Sequence, residues 1–279
     1  MLEAAQESIT RFYAPGHSER ELDRLSTQAR MFEPFTRQLF REAGLSAGMR
    51  VLDVGCGSGD VSLLAAEFVG PTGTVVGIDR AAAAIVRAKA RAEGRRMSNV
   101  QFLEGDPTLI RLDEGFDAIV GRLILMYYAD PVDALRKLLM HLRPGGLVVF
   151  QEFDANGCKS HPTSQTYERC VDWIVRTLQL SGANSHVGLE LYRIFQSSGL
   201  PAPTLRLDGV IGGGASAPTY EALAEVVRSL LPAIERLGVA TAAEVEIDSL
   251  AVRMRDEVLT KEGVVVAPLL IGAWARHPG

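Results

Sequence analysis

Cysteine is scarce in this chain of 279 residues, which contains only Cys56, Cys158 and Cys170. An odd number with no C-x-x-C pair points to neither a disulfide framework nor a zinc site, and a reducing, cytoplasmic setting is expected. Basic charge is in deficit too, with 29 Lys and Arg against 34 Asp and Glu, a formal net charge of −5 and a pI near 5.6. That balance argues against a nucleic-acid surface, and the pair Arg95-Arg96 is what any solvated loop carries. Long apolar runs are missing as well. The longest, GVVVAPLLIGAWA at 263–275, is too short to cross a bilayer as a helix and contains Pro268. The opening MLEAAQESIT is acidic and polar where an export signal is basic and then apolar, so no signal is read and a soluble protein is expected. No internal repeat or low-complexity linker is evident. The length suits one large α/β domain, alone or with a smaller cap.

What is present is a strand and helix alternation that begins at residue 50. Strands are predicted at about 50–54, 74–78, 100–104, 116–120 and 147–152. A helix follows the first strand at about 59–69. Another runs from Ala81 to about Glu93 and stops at Gly94, where glycine can take the left-handed cap conformation. A third starts at Pro131, capped by Asp130, and ends at RPGG, 143–146. Strands separated by helices imply parallel pairing with right-handed crossovers, hence a doubly wound sheet with its ligand at the carboxyl ends of the strands. Gly55, Asp79, Asp106, Arg122 and Glu152 all fall at or just after such ends.

Two segments lie outside this alternation. Residues 1–45 read as helices interrupted by APG at 14–16 and by Pro34, a lid or buttress ahead of a domain at 46–279. After 152, Tyr167, Cys170, Val171, Ile174, Val175 and Leu178 recur at helical spacing over about 163–181, within a cap insertion at about 153–190. A helix at 189–198, a strand at 205–210, two helices between about 218 and 261 and a strand within 264–276 complete the chain. Pro268 is expected at that strand's start or on an edge.

VLDVGCGSGD at 51–60 is a strand running into a glycine-rich turn, the usual opening of a mononucleotide-binding unit. The dinucleotide fingerprint needs glycine at its first, third and sixth positions, here Gly55, Gly57 and Asp60, and the sixth fails. Asp53 and Asp60, with no Lys or Arg in 51–60, suit a ligand carrying an ammonium or sulfonium rather than a pyrophosphate.

Taken with IDR at 78–80, LEGD at 103–106, FDAIV at 116–120 and LRPGGLVVFQE at 142–152, this loop resembles the class I S-adenosylmethionine-dependent methyltransferases, nearest to the quinone C-methyltransferases and related small-molecule enzymes. The resemblance covers about 45–155. It implies a Rossmann-like seven-stranded sheet whose last strand is antiparallel, with 205–210 and 264–276 as the remaining strands. It also implies S-adenosyl-L-methionine as cofactor, held among Asp53, Gly55, Cys56, Gly57, Gly59, Asp79, Arg80, Asp106, Pro107 and Arg122. On this pattern Gly55 and Gly57 let the loop pass beneath the cofactor while Asp53 helps hold the methionine ammonium. Asp79 accepts from the ribose hydroxyls, or else caps the following helix. Asp106 accepts from the adenine amino group, or else is a loop acid; Pro107 departs from the family's usual small residue and removes an N–H. Arg122 is a second departure, and either clamps an acidic acceptor or pairs with Asp53, Glu152 or another nearby acid.

Methyl transfer is an in-line displacement on a sulfonium carbon, so alignment is the enzyme's main task and can be worth ~7–11 kcal/mol of barrier. A base is needed only if the nucleophile must lose a proton; His186 and Glu152 are the residues proposed for it, His186 against a surface reading. Tyr127 and Tyr128 either line the acceptor site or are plain core. The expected acceptor is a small, apolar or aromatic molecule rather than a macromolecule, no nucleic acid and no membrane span are expected, and the oligomeric state is open. A cofactor-bound fold running a non-methylating reaction such as cyclisation, or a non-catalytic binding module, is the competing reading.

Overall fold

The computed structural model describes residues 19–112 and 115–278. The first part of the expected lid, with the break at 14–16, lies outside the described residues. The helix α1, Glu19–Ala43, runs unbroken through Pro34. The expected interruption there is corrected: proline removes one backbone hydrogen bond, but Phe32, Leu39, Phe40 and Ala43 on the same helix are buried and hold it in place. The alternation then follows as β1 Arg50–Val54, α2 Asp60–Val69, β2 Thr74–Asp79, α3 Ala82–Gly94, β3 Val100–Glu104, β4 Phe116–Arg122, α4 Pro131–Leu139 and β5 Leu142–Asp154. Later come β6 Lys159–His161, α5 Gln165–Leu180, α6 Val187–Ser197, β7 Thr204–Asp208 and β8 Ile211–Gly213. The last are α7 Thr219–Arg236, α8 Ala242–Val245, α9 Ile247–Thr260, β9 Val264–Val266 and β10 Leu269–Arg276.

By contacts, the chain divides into two units. One comprises 25–152, 188–206 and the residues from 271 onward. Its seven-stranded sheet has the order β3-β2-β1-β4-β5-β10-β7, and the pairs β2·β3, β1·β2, β1·β4 and β4·β5 are parallel. Strand alternation sorts the core. Val51, Val120, Leu147 and Val149 pack with Leu39 and Phe40 of α1 and Leu64 and Ala65 of α2. Phe150, one position on, points to the opposite face, where its ring meets Phe195 of α6 edge-on with centroids 6.4 Å apart. Helices therefore cover both faces, as the run of fully buried strand residues requires.

The second unit gathers 153–187 and 207–270 with residues 19–24. It has its own core, in which Tyr167, Cys170 and Trp173 of α5 meet Tyr220, Leu223 and Val227 of α7 and Leu250, Met254 and Val258 of α9. A three-stranded antiparallel sheet, β6-β9-β8, belongs to it, and the Tyr167 hydroxyl donates to the Val266 carbonyl at 2.5 Å. The helical stripe read at 163–181 thus packs against 218–261.

Four boundaries are corrected. RPGG at 143–146 lies inside β5 rather than ending α4, and the register with β4 shifts between Phe116 and Ala118. Gly94 is helical; the left-handed cap is taken by Arg96, φ 55°, while the Met97 N–H reaches the Ala92 carbonyl at 3.0 Å. The strand expected within 264–276 is two strands in two sheets, with Ala267 and Pro268 between them. Three helices, not two, occupy 219–260; the extra turn, α8, has a full capping box between Thr241 and Glu244. Among the described residues, no helix is long and apolar enough to cross a membrane.

Proline inside a helix costs roughly 3 kcal/mol relative to alanine. Pro34→Ala should therefore raise the urea midpoint, by about 1–3 kcal/mol in unfolding free energy once the looser unfolded chain is allowed for. A lowered midpoint would mean that the proline is needed for the seating of Phe32 and Leu39.

Candidate functional site

The turn after β1 takes its shape from three left-handed glycines, Gly55, Gly57 and Gly59, at φ 66°, 51° and 83°. A side chain is disfavoured at each by backbone conformation alone. Space separates their roles. A Cβ at Gly55 would stand 2.4 Å from Ile124 Cδ1, and one at Gly59 would stand 2.8 Å from Phe102 Cζ, so these two are also needed for packing. A Cβ at Gly57 would meet nothing within 4 Å. The middle of the loop thus borders open space, and α2 starts behind it with no side chain capping its first N–H groups.

The loop is braced from two other elements. Asp79, ending β2, accepts from the Gly57 N–H at 2.8 Å through Oδ2 and from the Ala81 N–H at 2.9 Å through Oδ1. Each oxygen keeps a second lone-pair direction, so two further donors can be received. Cys56 is buried, and its N–H donates to the Ile78 carbonyl at 3.0 Å. From α3, Arg91 donates to the Ser58 carbonyl and to Asp60 Oδ1, each at 2.6 Å. This pair alters the charge argument. No Lys or Arg lies within 51–60, yet a cation reaches Asp60 from thirty-one residues away, so Asp60 does not add free negative charge to the loop.

Arg80 forms an ion pair with Asp106 Oδ2, while Asp106 Oδ1 accepts from the Thr108 N–H at 2.9 Å and the Thr108 hydroxyl at 2.8 Å. Pro107 sits inside this turn, where its missing N–H is replaced by that of Thr108. Tyr128 is largely buried, and burial, with Asp106 next, raises its hydroxyl pKa, so the ring stays neutral beside Asp106, Arg80 and Asp79. Tyr127 is also partly buried.

Residues 45–199 match a family described as a methyltransferase domain. The chain belongs to that family. A demethylmenaquinone methyltransferase of Lactococcus lactis is 31% identical over 133 residues, which cover 47% of this chain and 50% of that protein. One from Staphylococcus aureus is 32% identical over 117 residues, 42% of this chain and 48% of that one. The chain thus spans about half the length of these relatives. Among solved structures, the YcgJ protein of Bacillus subtilis has a TM-score of 0.59 at 17% identity, covering 88% of this chain and 99% of that one, a likeness of fold alone. The [4+2]-cyclase SpnF shares the fold in the same sense, with a TM-score of 0.54 at 19% identity over 88% of this chain and 82% of that one.

In this methyltransferase domain two acids are buried beneath the site. Asp53 is 1% exposed and accepts from the Ser62 hydroxyl at 2.5 Å. Burial pushes its pKa up to about 7, against the opposing pull of Ser62 and of the Arg122 charge. Arg122 itself donates to Thr36 Oγ1 at 3.0 Å; burial lowers its pKa, and Asp60, Asp53 and Glu33 support its charge without any ion pair among the described residues. Glu152 has no exposed surface, and its Oε1 accepts from the N–H groups of Ile124 and Leu125 at 2.9 and 2.8 Å. It staples the turn in which Leu123 takes φ 56° and which sets Ile124 against Gly55.

His186 belongs to the second unit, where its Nδ1 lies 3.0 Å from Asp154 Oδ1. Asp154 is almost wholly buried and the histidine ring is 29% exposed. Sequence reasoning named neither Asp154 nor Arg91. Asp154 ends the same strand as Glu152 and was open to the same strand-end argument, whereas nothing in the pattern of α3 distinguishes Arg91 from its other basic residues.

Burial raises the Glu152 pKa from 4.5 to about 7. The folded protein then holds a proton that the unfolded chain releases, so stability falls as pH rises from 4.5 to about 7 and is level above that. Glu152→Gln keeps an oxygen for both N–H groups and has no proton to lose. Its urea midpoint should match the wild type near pH 4.5 and exceed it at pH 8, by on the order of 3 kcal/mol at most. A constant difference across that range would remove Glu152 as the titrating group.

Proposed function

We propose that this chain binds S-adenosylmethionine and transfers its methyl group to a small, apolar or aromatic acceptor. The observation that carries the reading is the open ground at Gly57 bordered by an Asp79 carboxylate with one acceptor direction left on each oxygen. Paired ribose hydroxyls fit that acceptor set, and a pyrophosphate does not. Demethylmenaquinone is the acceptor class named for the relatives, and an aromatic quinol suits the expectation here.

When bound, the cofactor supplies a methyl group on a positively charged sulfur. This chain's residues hold and orient it. Asp79 takes the ribose hydroxyls, Asp106 offers the remaining direction on Oδ2 to the adenine amino group, and Asp53 takes the methionine ammonium. Asp154 at Nδ1 fixes the His186 tautomer, leaving Nε2 to accept a proton from the acceptor's nucleophile. The neutral Tyr128 ring lies beside the residues assigned to adenosine. The cytoplasmic setting follows from the thiols and is part of this proposal.

Calorimetry with S-adenosylhomocysteine tests the cofactor reading. At pH 6 the buried Asp53 is mostly protonated and at pH 8 mostly ionised. If it receives the ammonium, affinity should rise by up to about tenfold over that range. Asp53→Asn should bind weakly with no such slope; a wild-type slope in the variant would take Asp53 out of the ammonium site. Incubation with labelled-methyl donor and quinol acceptors tests turnover. His186→Gln and Asp154→Asn should each lower kcat by roughly 10²-fold while cofactor affinity is kept. Full turnover in both variants would remove the base.

A further inference from the structure

The outer edge of the seven-stranded sheet is left open beside a helix. β3 stands first in the strand order, so among the described residues only β2 pairs with it. The Asn99 carbonyl accepts from the Val75 N–H, and the Gly105 N–H donates to the Asp79 carbonyl, each at 2.9 Å. Backbone groups alternate in direction along a strand, so the odd-numbered residues between these two bonds face β2. Val100, Phe102 and Glu104 therefore turn their N–H and C=O groups outward, to a side where no strand of the described residues meets them. Such a row is a template for another extended chain.

The edge is also walled. A groove of about 360 Å³ lies beside it, lined by Lys89 and Glu93 of α3 and by Met97, Val100 and Phe102. Met97 and Val100 pack on the cluster that holds Phe102, so this part of the lining is apolar. The rim is basic. Residues 82–97 carry Arg87, Lys89, Arg91, Arg95 and Arg96 against the single acid Glu93, in a chain whose net charge is −5. Arg91 is taken by Asp60, while Lys89, Arg95 and Arg96 are exposed. A strand added to β3 would lay alternate side chains over the apolar residues, and acidic ones would meet the cations. A second copy of the chain does not fit. Two β3 strands paired across a two-fold axis would lie about 4.8 Å apart. In each copy α3 packs on β3 and β2, and packed helices need about 8–10 Å between their axes, so the two α3 helices would overlap. An isolated extended segment brings no helix with it.

We propose that the groove between α3 and the β3 edge binds an extended, acidic peptide segment of a partner protein by strand addition. Main-chain hydrogen bonds to Val100, Phe102 and Glu104 supply the affinity, and Lys89, Arg95 and Arg96 select acidic sequences. The groove uses none of the residues assigned to cofactor or acceptor, so this docking is a separate activity of the domain.

The amide NMR spectrum of the deuterated full-length protein is followed during titration with three capped octapeptides. One alternates Glu and Val, one alternates Lys and Val, and the third is the Glu-Val peptide N-methylated at every amide. The Glu-Val peptide should shift the amide signals of Val100, Phe102 and Glu104 to saturation. Its N-methylated form keeps the charges and loses the donors, and should bind at least about tenfold more weakly. A Lys89→Glu, Arg95→Glu double variant should weaken the Glu-Val peptide by about tenfold and reverse the preference for it over Lys-Val. Absence of any shift with the Glu-Val peptide overturns the proposal. So does equal binding of the N-methylated form, which would leave a charged surface and no added strand, or equal binding of the Lys-Val peptide, which would remove the acidic selection. A protein that sediments as a dimer with these three amides protected from exchange would give the edge to a second copy, and overturns it too.

Discussion

The hydrogen bond from the Gly57 N–H to Asp79 joins the two elements on which the site depends. It ties a loop that only glycine can form to the end of the neighbouring strand, so the register of β1 on β2 determines where the loop lies. Arg91 secures the other side of the same loop through Ser58 and Asp60. The loop is held at its middle glycine and again just beyond it, while a Cβ at Gly57 would meet nothing within 4 Å. A ligand there meets a preformed backbone surface instead of having to order one, which reduces the entropy lost on binding.

Charge in this region is arranged by burial rather than by number. Asp60 is neutralised by Arg91 and Asp106 by Arg80, while Asp53 and Glu152 are buried deeply enough to titrate near neutrality. The two buried acids serve different ends. Glu152 has its Oε1 filled by backbone N–H groups and acts on the shape of the turn after β4. Asp53 has a single hydroxyl partner and retains capacity for a cationic group. Burial raises both, while the groups that oppose it differ: a hydroxyl and a distant guanidinium at Asp53, backbone N–H groups at Glu152.

The second unit follows its own logic. Its core is helical, with a three-stranded sheet along one part, and in the Asp154–His186 pair a buried carboxylate meets a partly exposed imidazole. Asp154 lies 3.0 Å from Nδ1 and so orients the ring.

The sequence by itself determined what is local. Glycine positions that demand a left-handed backbone, the period of the apolar residues, the Asp130–Pro131 helix start and the strand-end placement of Asp79 and Asp106 were all legible, because each depends on a few adjacent residues. Even the capping box at Thr241–Glu244 was written in four residues, although it escaped the reading. Tertiary structure decided what depends on distance along the chain. Pro34 stayed helical because of what the rest of α1 buries, and 264–276 divided because two sheets compete for it. Asp60 lost its free charge to Arg91, and Thr36 came to Gln151 across 115 residues. No propensity or period encodes such pairings, since a side chain's partners, its burial and hence its pKa are set only once the backbone has brought distant strands and helices together.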